Sequence, residues 1–381
     1  MSTKLDTNLK LNQHINKDEI LDNFLINDMF MKCKKYKNSI FETYDKYNYD
    51  TVYAIGDIHC DYEALIKILK HIDCIIKDDN PKSSKEGDPK SKHHKNNQYS
   101  DNKVEYKWNP TLKNTCIIQV GDITGRKKHK HHTIADTYKP KEIKIINLLS
   151  KLADEALQYN SRIILLYGNH EIHKIFDIID WKKINKKLSD VNIEFSKLKN
   201  YILCNYHSVC IVNNYLFCHA GIILSIIQKL MDLFNITEEQ FINLDISDKL
   251  FLINICVVGM LNGIITEQLD KNKIENIREI VYDIFHNREY FEIKNSNDEI
   301  NNIHRLRIMK NITETKLLYN IKGIIVGHNR TFDYKIHQFD NLYDIDIKIS
   351  EGYGSDIKND VNQILKIVKD KSPEIIEISN K

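Results

Sequence analysis

Five times along this chain an apolar run stops abruptly at a short polar cluster built around glycine. Ala54-Ile55 lead into Gly56-Asp57-Ile58-His59, Gln119-Val120 into Gly121-Asp122, and Leu166-Tyr167 into Gly168-Asn169-His170-Glu171. Leu216-Phe217-Cys218 lead into His219-Ala220-Gly221, and Ile325-Val326 into Gly327-His328-Asn329-Arg330. Short apolar runs rich in Ile and Val read as buried strands. Glycine lets the backbone turn sharply and approach a ligand, and the carboxyl ends of strands are where α/β sheets build their sites. The pattern therefore lets five strand ends converge on one site.

The segments between these runs fit an α/β architecture. Thr51–Ile58 reads as a strand and Asp61–Ile72 as an amphipathic helix capped by Asp61, the start of a βαβ unit. Thr115–Ile123 and Arg162–Gly168 are further strands, with a helical period over Pro140–Tyr159 between them. Ser208–Val212 and Tyr215–His219 form a hairpin across Asn213-Asn214, because Asn tolerates the left-handed turn. Residues 222–320 have a helical pattern and read as an insertion on the sheet scaffold. Lys322–Val326 is a strand, Tyr334–Phe339 and Tyr343–Ile349 an antiparallel pair, and Gln363–Val368 and Glu374–Ile378 terminal strands. At the N-terminus, Asp18–Lys32 repeats its apolar residues at helical spacing, so residues 1–50 are expected as a helical extension packed on a domain running over 51–381. Residues of about 78–110 are Lys, Ser, Asn, Asp and His with few apolar positions, the composition of a disordered insertion.

Charge and cysteine usage exclude several classes. Lys+Arg 55 against Asp+Glu 53 gives a net charge of +2, which disfavours a nucleic-acid binder held by a basic field. None of the eight cysteines stands in a C-x-x-C pair, so a zinc ribbon has no support. Scattered cysteines and a polar start at Met1–Lys10 fit reduced thiols and a cytoplasmic protein. The run Leu250–Ile265 contains Asn254 and Asn262 and falls short of the roughly 20 residues a bilayer needs, so no membrane contact is expected.

The strand ends deliver Asp57, His59, Asp122, Asn169, His219 and His328, an oxygen and imidazole set without sulfur. Turns use Asp, Asn and Gly anyway, but turn chemistry does not call for histidine at strand end after strand end. The set suits divalent transition metals and exceeds what one tetrahedral ion takes, so two ions sharing a carboxylate is the economical reading. Two ions about 3.5–4 Å apart polarise a phosphoryl group and activate a water for hydrolysis.

The ordered motifs GDIH, GD, GNHE, HAG and GH resemble the calcineurin-like metallophosphoesterase superfamily, within it the phosphoprotein phosphatase type that includes Shewanella-like phosphatases. The resemblance implies a four-layered α/β/β/α sandwich with a helical insertion. It also implies that Asp57 and His59 hold one metal, that Asp122 bridges, and that Asn169, His219 and His328 hold the other. His170 becomes the general acid for the leaving oxygen, and a hydroxide bridging the ions becomes the nucleophile. Arg126 matches the family arginine that clamps substrate oxygens, and Arg288, in Phe285–Tyr290, loosely resembles a second clamp. Manganese is the expected metal, with iron or zinc as alternatives. The expected substrate is a phosphorylated one, a Ser/Thr phosphoprotein first, with a nucleotide or dinucleoside polyphosphate as the alternative. One departure stands out: the family has an acid before that first arginine, paired with the catalytic histidine, where this chain has Gly125. Another acid such as Glu171 would have to take its part, or the chain is a catalytically weak scaffold of the same fold.

Overall fold

The computed structural model of the protein describes residues 15–23, 31, 33, 48–78, 105–124, 139–173, 201–266, 271–290, 299–329, 331, 333–347, 349 and 361–379. In chain order its strands begin with β1 (Thr51–Ile55), β2 (Ile75–Lys77), β3 (Tyr106–Trp108), β4 (Thr115–Gln119), β5 (Arg162–Leu166) and β6 (Tyr206–His207). They continue with β7 (Val209–Val212), β8 (Tyr215–Cys218), β9 (Gly323–Val326), β10 (His337–Phe339), β11 (Leu342–Asp344), β12 (Val361–Val368) and β13 (Glu374–Ser379). The helices are α1 (Lys17–Asn23), α2 (Tyr62–His71), α3 (Lys139–Ala156), α4 (Leu224–Phe234), α5 (Glu238–Asn243), α6 (Ile246–Thr266), α7 (Lys271–His286) and α8 (Glu299–Tyr319).

Strand direction creates the site. A six-stranded sheet runs β13-β12-β1-β4-β5-β6, in which β1, β4, β5 and β6 are mutually parallel. Gly56, Gly121 and Gly168 therefore leave the sheet along one edge. The second, five-stranded sheet runs β10-β11-β9-β8-β7, with β8 parallel to β9, so His219 and Gly327 leave it together. Their backbones are joined by a 2.8 Å hydrogen bond from the Gly327 N–H to the His219 carbonyl. Every residue of β4 is buried, as covered parallel strands require. On one side α3 packs on β5 and α2 on α3; on the other, α6 packs on β7 and α8 on β9. Helices thus cover both sheets, in keeping with the helix–sheet–sheet–helix layering that the motif resemblance implies.

Local chemistry explains the punctuation. Asp61 caps α2 by accepting the Ala64 N–H at 3.0 Å, and Asn213 (φ 50°) and Asn214 (φ 64°) make the left-handed turn between β7 and β8. The stretch 222–320 is helical wherever it is described, apart from its turns. Leu250–Met260 lies buried in α6, and among the described residues no helix is long and apolar enough to cross a membrane.

Two expectations need correction. The insertion expected at about 78–110 is narrower, because β3 pairs antiparallel with β2 and buries Tyr106 and Trp108; residues 79–104 lie outside the described residues. The cysteines are not all reduced thiols either. Cys33 and Cys204 form a disulfide, whereas Cys60, Cys74, Cys116, Cys210, Cys218 and Cys256 are free and buried. That bond tethers the N-terminal segment to the residues entering β6. The same segment docks through Lys17, whose ammonium lies 2.7 Å from Asp248, and through Tyr49, whose backbone N–H and carbonyl both bond the Asn213 amide.

Candidate metal centre

The strand ends are locked together before any side chain reaches the centre. Asp122 takes a left-handed backbone (φ 52°), and its carbonyl accepts the N–H groups of Ile58 (3.1 Å) and His59 (2.9 Å), joining the end of β1 to the end of β4. His59 (φ 45°) and His328 (φ 67°) are left-handed as well. Such backbone at non-glycine residues costs of order 1–3 kcal/mol each and persists only where surrounding contacts enforce it. The Glu171 carboxylate supplies part of that enforcement. Its Oε2 accepts the N–H groups of Asp122 (2.8 Å) and Gly168 (2.8 Å), and its Oε1 accepts the Thr124 N–H (2.7 Å) and hydroxyl (2.8 Å). Gly121 (φ 102°) has no alternative, since a Cβ there would meet the Gly168 backbone and His219 Nδ1, both at 2.7 Å.

Asp57, His59, Asp122, His219 and His328 are brought together and buried, with Asn169 between them. His59 Nε2 lies 3.9 Å from Asp57 Oδ2 and 3.8 Å from Asp122 Oδ2, and His219 Nε2 lies 3.5 Å from Asp122 Oδ1. The His328 N–H points at the Asp57 carboxylate, 3.2 Å from Oδ2. Two triads of ligand atoms, each within 4.8 Å, emerge: His59, Asp122 and His170, and Asp57, Asp122 and His219. Asp122 belongs to both.

The donors fit divalent ions better than they fit one another. Asn169 Oδ1 stands 3.0 Å from His219 Nε2 and 3.2 Å from His328 Nδ1 and faces acceptors only; turned round, the amide would instead donate to Asp122. Lone pairs aimed at one point are what a cation's ligands present. His219 bonds the Val120 carbonyl through Nδ1 (2.9 Å), which places the proton there and leaves Nε2 free to ligate. Burial, then the neighbouring His328, holds the His219 imidazole well below its usual pKa and so neutral. Acids behave oppositely. Burial, then Asp346 and Asp122, raises Asp57 well above the carboxylate range, and Asp344 is raised by burial and Asp346. Four carboxylates, Asp57, Asp122, Asp344 and Asp346, are at most 3% exposed, so divalent charge would relieve a substantial penalty.

His170 sits at the rim, 29% exposed, with Nε2 3.8 Å from Asp122 Oδ2 and its ring edge-on to His59 at 4.9 Å. Glu171 is occupied elsewhere, with both oxygens bonded to the strand-end loops, so its geometry is that of a clamp and not of a partner for His170. Arg126 and Gly125 lie outside the described residues. Arg288 is exposed at the rim. Its neighbour Asn287 donates to the carbonyls of Ala220 (3.3 Å) and Gly221 (3.1 Å), which fixes this turn beside His219. Asp344 and Asp346 were not anticipated from the sequence, although two acids at alternate positions in an otherwise apolar run signal carboxylates turned toward a polar interior.

The sequence profile of calcineurin-like phosphoesterases matches residues 51–329, from β1 through the end of β9. The chain belongs to the calcineurin-like phosphoesterase family. Members of that family are hydrolases that act on phosphoesters with divalent metal ions, and the buried oxygen and imidazole donors here fit such ions. A 29% identity over 211 residues relates this chain to Shewanella-like protein phosphatase 1 of Plasmodium berghei (strain Anka), covering 52% of this chain and 47% of that protein. The chain thus spans about half the length of that relative. An uncharacterized protein of Acanthamoeba polyphaga mimivirus is 25% identical over 254 residues, covering 58% of this chain and 95% of that one. Among solved structures, a cold-active protein-tyrosine phosphatase of a psychrophilic Shewanella species superposes with a TM-score of 0.48 at 15% identity, covering 88% of this chain and 83% of that one.

Proposed function

We propose that this phosphoesterase is a binuclear metal-dependent phosphomonoesterase acting on phosphorylated Ser/Thr side chains of proteins. The observation that carries the reading is the placing of Asp122 between two histidines, Oδ2 toward His59 (3.8 Å) and Oδ1 toward His219 (3.5 Å). Asp57, His59 and Asp122 would hold one ion; Asp122, Asn169, His219 and His328 would hold the other. When bound, such a pair supplies Lewis-acid polarisation of the phosphoryl group and an acidified water, with manganese, iron and zinc all compatible with the donors.

The chain's own residues do the remaining work. Glu171 keeps the loops carrying Asp122 and Asn169 in register, so the ligands need not reorganise during reaction. His170, partly open to solvent at the rim, delivers a proton to the departing alkoxide. Arg288 binds a nonreacting phosphoryl oxygen from the His219 side, and Arg126 is assigned the same task from its place in the motif. The likeness to a Shewanella-like protein phosphatase supports a phosphorylated protein side chain as the substrate.

Turnover of an aryl phosphate by the manganese-loaded protein tests the reaction, and folded protein inert with every divalent metal would overturn it in favour of a scaffold. A phosphopeptide panel run against diadenosine tetraphosphate tests the substrate. Preference for the dinucleotide would move the assignment to nucleotide hydrolysis.

A further inference from the structure

Beside the centre stands a second pair of imidazoles that the proposed reaction does not use. His173 lies one turn beyond His170, and His286 ends α7; their Nε2 atoms are 3.0 Å apart and their rings cross at 72°. The pair joins two separate parts of the fold, the helical turn after β5 and the helical insertion. The His286 ring approaches that of His328 edge-on at 6.0 Å, so the pair borders the centre without sharing its ligands.

His286 is dressed as a ligand is dressed. Its Nδ1 lies 3.1 Å from the Tyr282 carbonyl, which can only accept, so the proton resides on Nδ1 and the Nε2 lone pair faces His173. His219 in the centre has the same arrangement, with Nδ1 on the Val120 carbonyl and Nε2 directed at the other donors. A backbone carbonyl behind the imidazole is the usual support of a metal-binding histidine, because it fixes both tautomer and ring plane. The Tyr282 ring stacks on His286 at 4.3 Å, 6° from parallel, and restricts the ring further.

Spacing agrees with this support. Imidazole nitrogens bind zinc at about 2.0–2.1 Å, which puts two neighbouring donors roughly 2.8–3.4 Å apart for angles between square and tetrahedral. We infer that His173 and His286 form a separate transition-metal site at the rim, taking Zn²⁺ or Cu²⁺ through their two Nε2 atoms and leaving the remaining positions to water. Imidazole donors select these ions over Mg²⁺ or Ca²⁺. A bare hydrogen bond between the two rings, with His173 donating, is the competing account.

The test counts zinc and does not depend on turnover, so it can fail or succeed independently of the proposed phosphatase activity. Zinc bound per chain at saturation is measured for the full-length protein, for His173→Gln, for His286→Gln and for Asp122→Asn. The expected result is one equivalent fewer in each histidine variant, with the remaining equivalents held as tightly as in the parent. Asp122→Asn should retain the equivalent that the histidine variants lose. Histidines elsewhere, such as His93, His94 and His129, contribute equally to all four proteins and cancel in the difference. His173 is exposed, so its replacement leaves the core intact, and circular dichroism confirms folding of each variant. Unchanged stoichiometry in both histidine variants overturns the site in favour of the hydrogen bond. Loss of every equivalent from both folded variants also overturns it, by making the pair part of the centre.

Discussion

The floor of the centre and its rim are built on opposite principles. Asp57, His59, Asp122, His219 and His328 are buried at strand ends, their loops tied by backbone hydrogen bonds and by Glu171. His170, His173, His286 and Arg288 stand on helix ends and turns, each partly or largely open to solvent. Floor residues are held by two sheets at once, so their geometry is inherited from the fold. Rim residues reach the floor edge-on from those turns, His170 beside Asp122 and His59, and His286 beside His328.

The comparison breaks most visibly at Asp122. Asp122→Asn keeps an acceptor for the His170 N–H but loses the shared charge; metal content and aryl phosphate turnover should both fall, turnover by roughly 10³-fold. Turnover within tenfold of the parent would mean that Asp122 does not bridge. At the rim, His170→Asn should cost about 10²-fold, with metal content unchanged and a larger loss for alkyl than for nitrophenyl esters. An equal loss for all leaving groups would make His170 a structural residue.

Between floor and rim lies Glu171. Glu171→Gln turns an NH2 toward two of the donors that now meet a carboxylate oxygen, and should cost about 1–3 kcal/mol in chemical denaturation and about 10–100-fold in metal affinity. The smallest effect concerns Asp344, whose carboxyl is raised by burial and by Asp346. A raised acid stabilises the fold while protonated, below its unfolded value of about 3.9, and that contribution is lost as pH rises through the folded value. Asp344→Asn in chelator should therefore match the parent near pH 3.5 and exceed it at pH 7.5 by on the order of 1 kcal/mol. An equal Tm difference at both pH values would show that the charge is not what the fold resists.

Much of the floor was legible because its signals are local. A strand that ends in Gly-Asp or Gly-Asn-His announces both its backbone turn and its chemistry within four residues, and Asn213-Asn214 announces a hairpin in two. The rim was illegible for the opposite reason: nothing within reach of Glu-Ile-His or Phe-His-Asn says that His173 and His286, 113 residues apart, will meet. Composition misled where it averaged over ordered and polar stretches together, placing β3 inside an insertion. It also gave no hint that Cys33 and Cys204, 171 residues apart, would meet.

The sequence by itself determined most of the elements, the candidate donor types and the order in which strand ends present them, since these follow from periodicity, turn chemistry and side-chain identity. Only the tertiary structure decided that Asp122 faces histidines on both sides, that Glu171 is committed to backbone amides, and that two distant imidazoles face each other. Those facts depend on parallel pairing within each sheet and on the junction between the two, and long-range packing of that kind leaves no trace in any single stretch of chain.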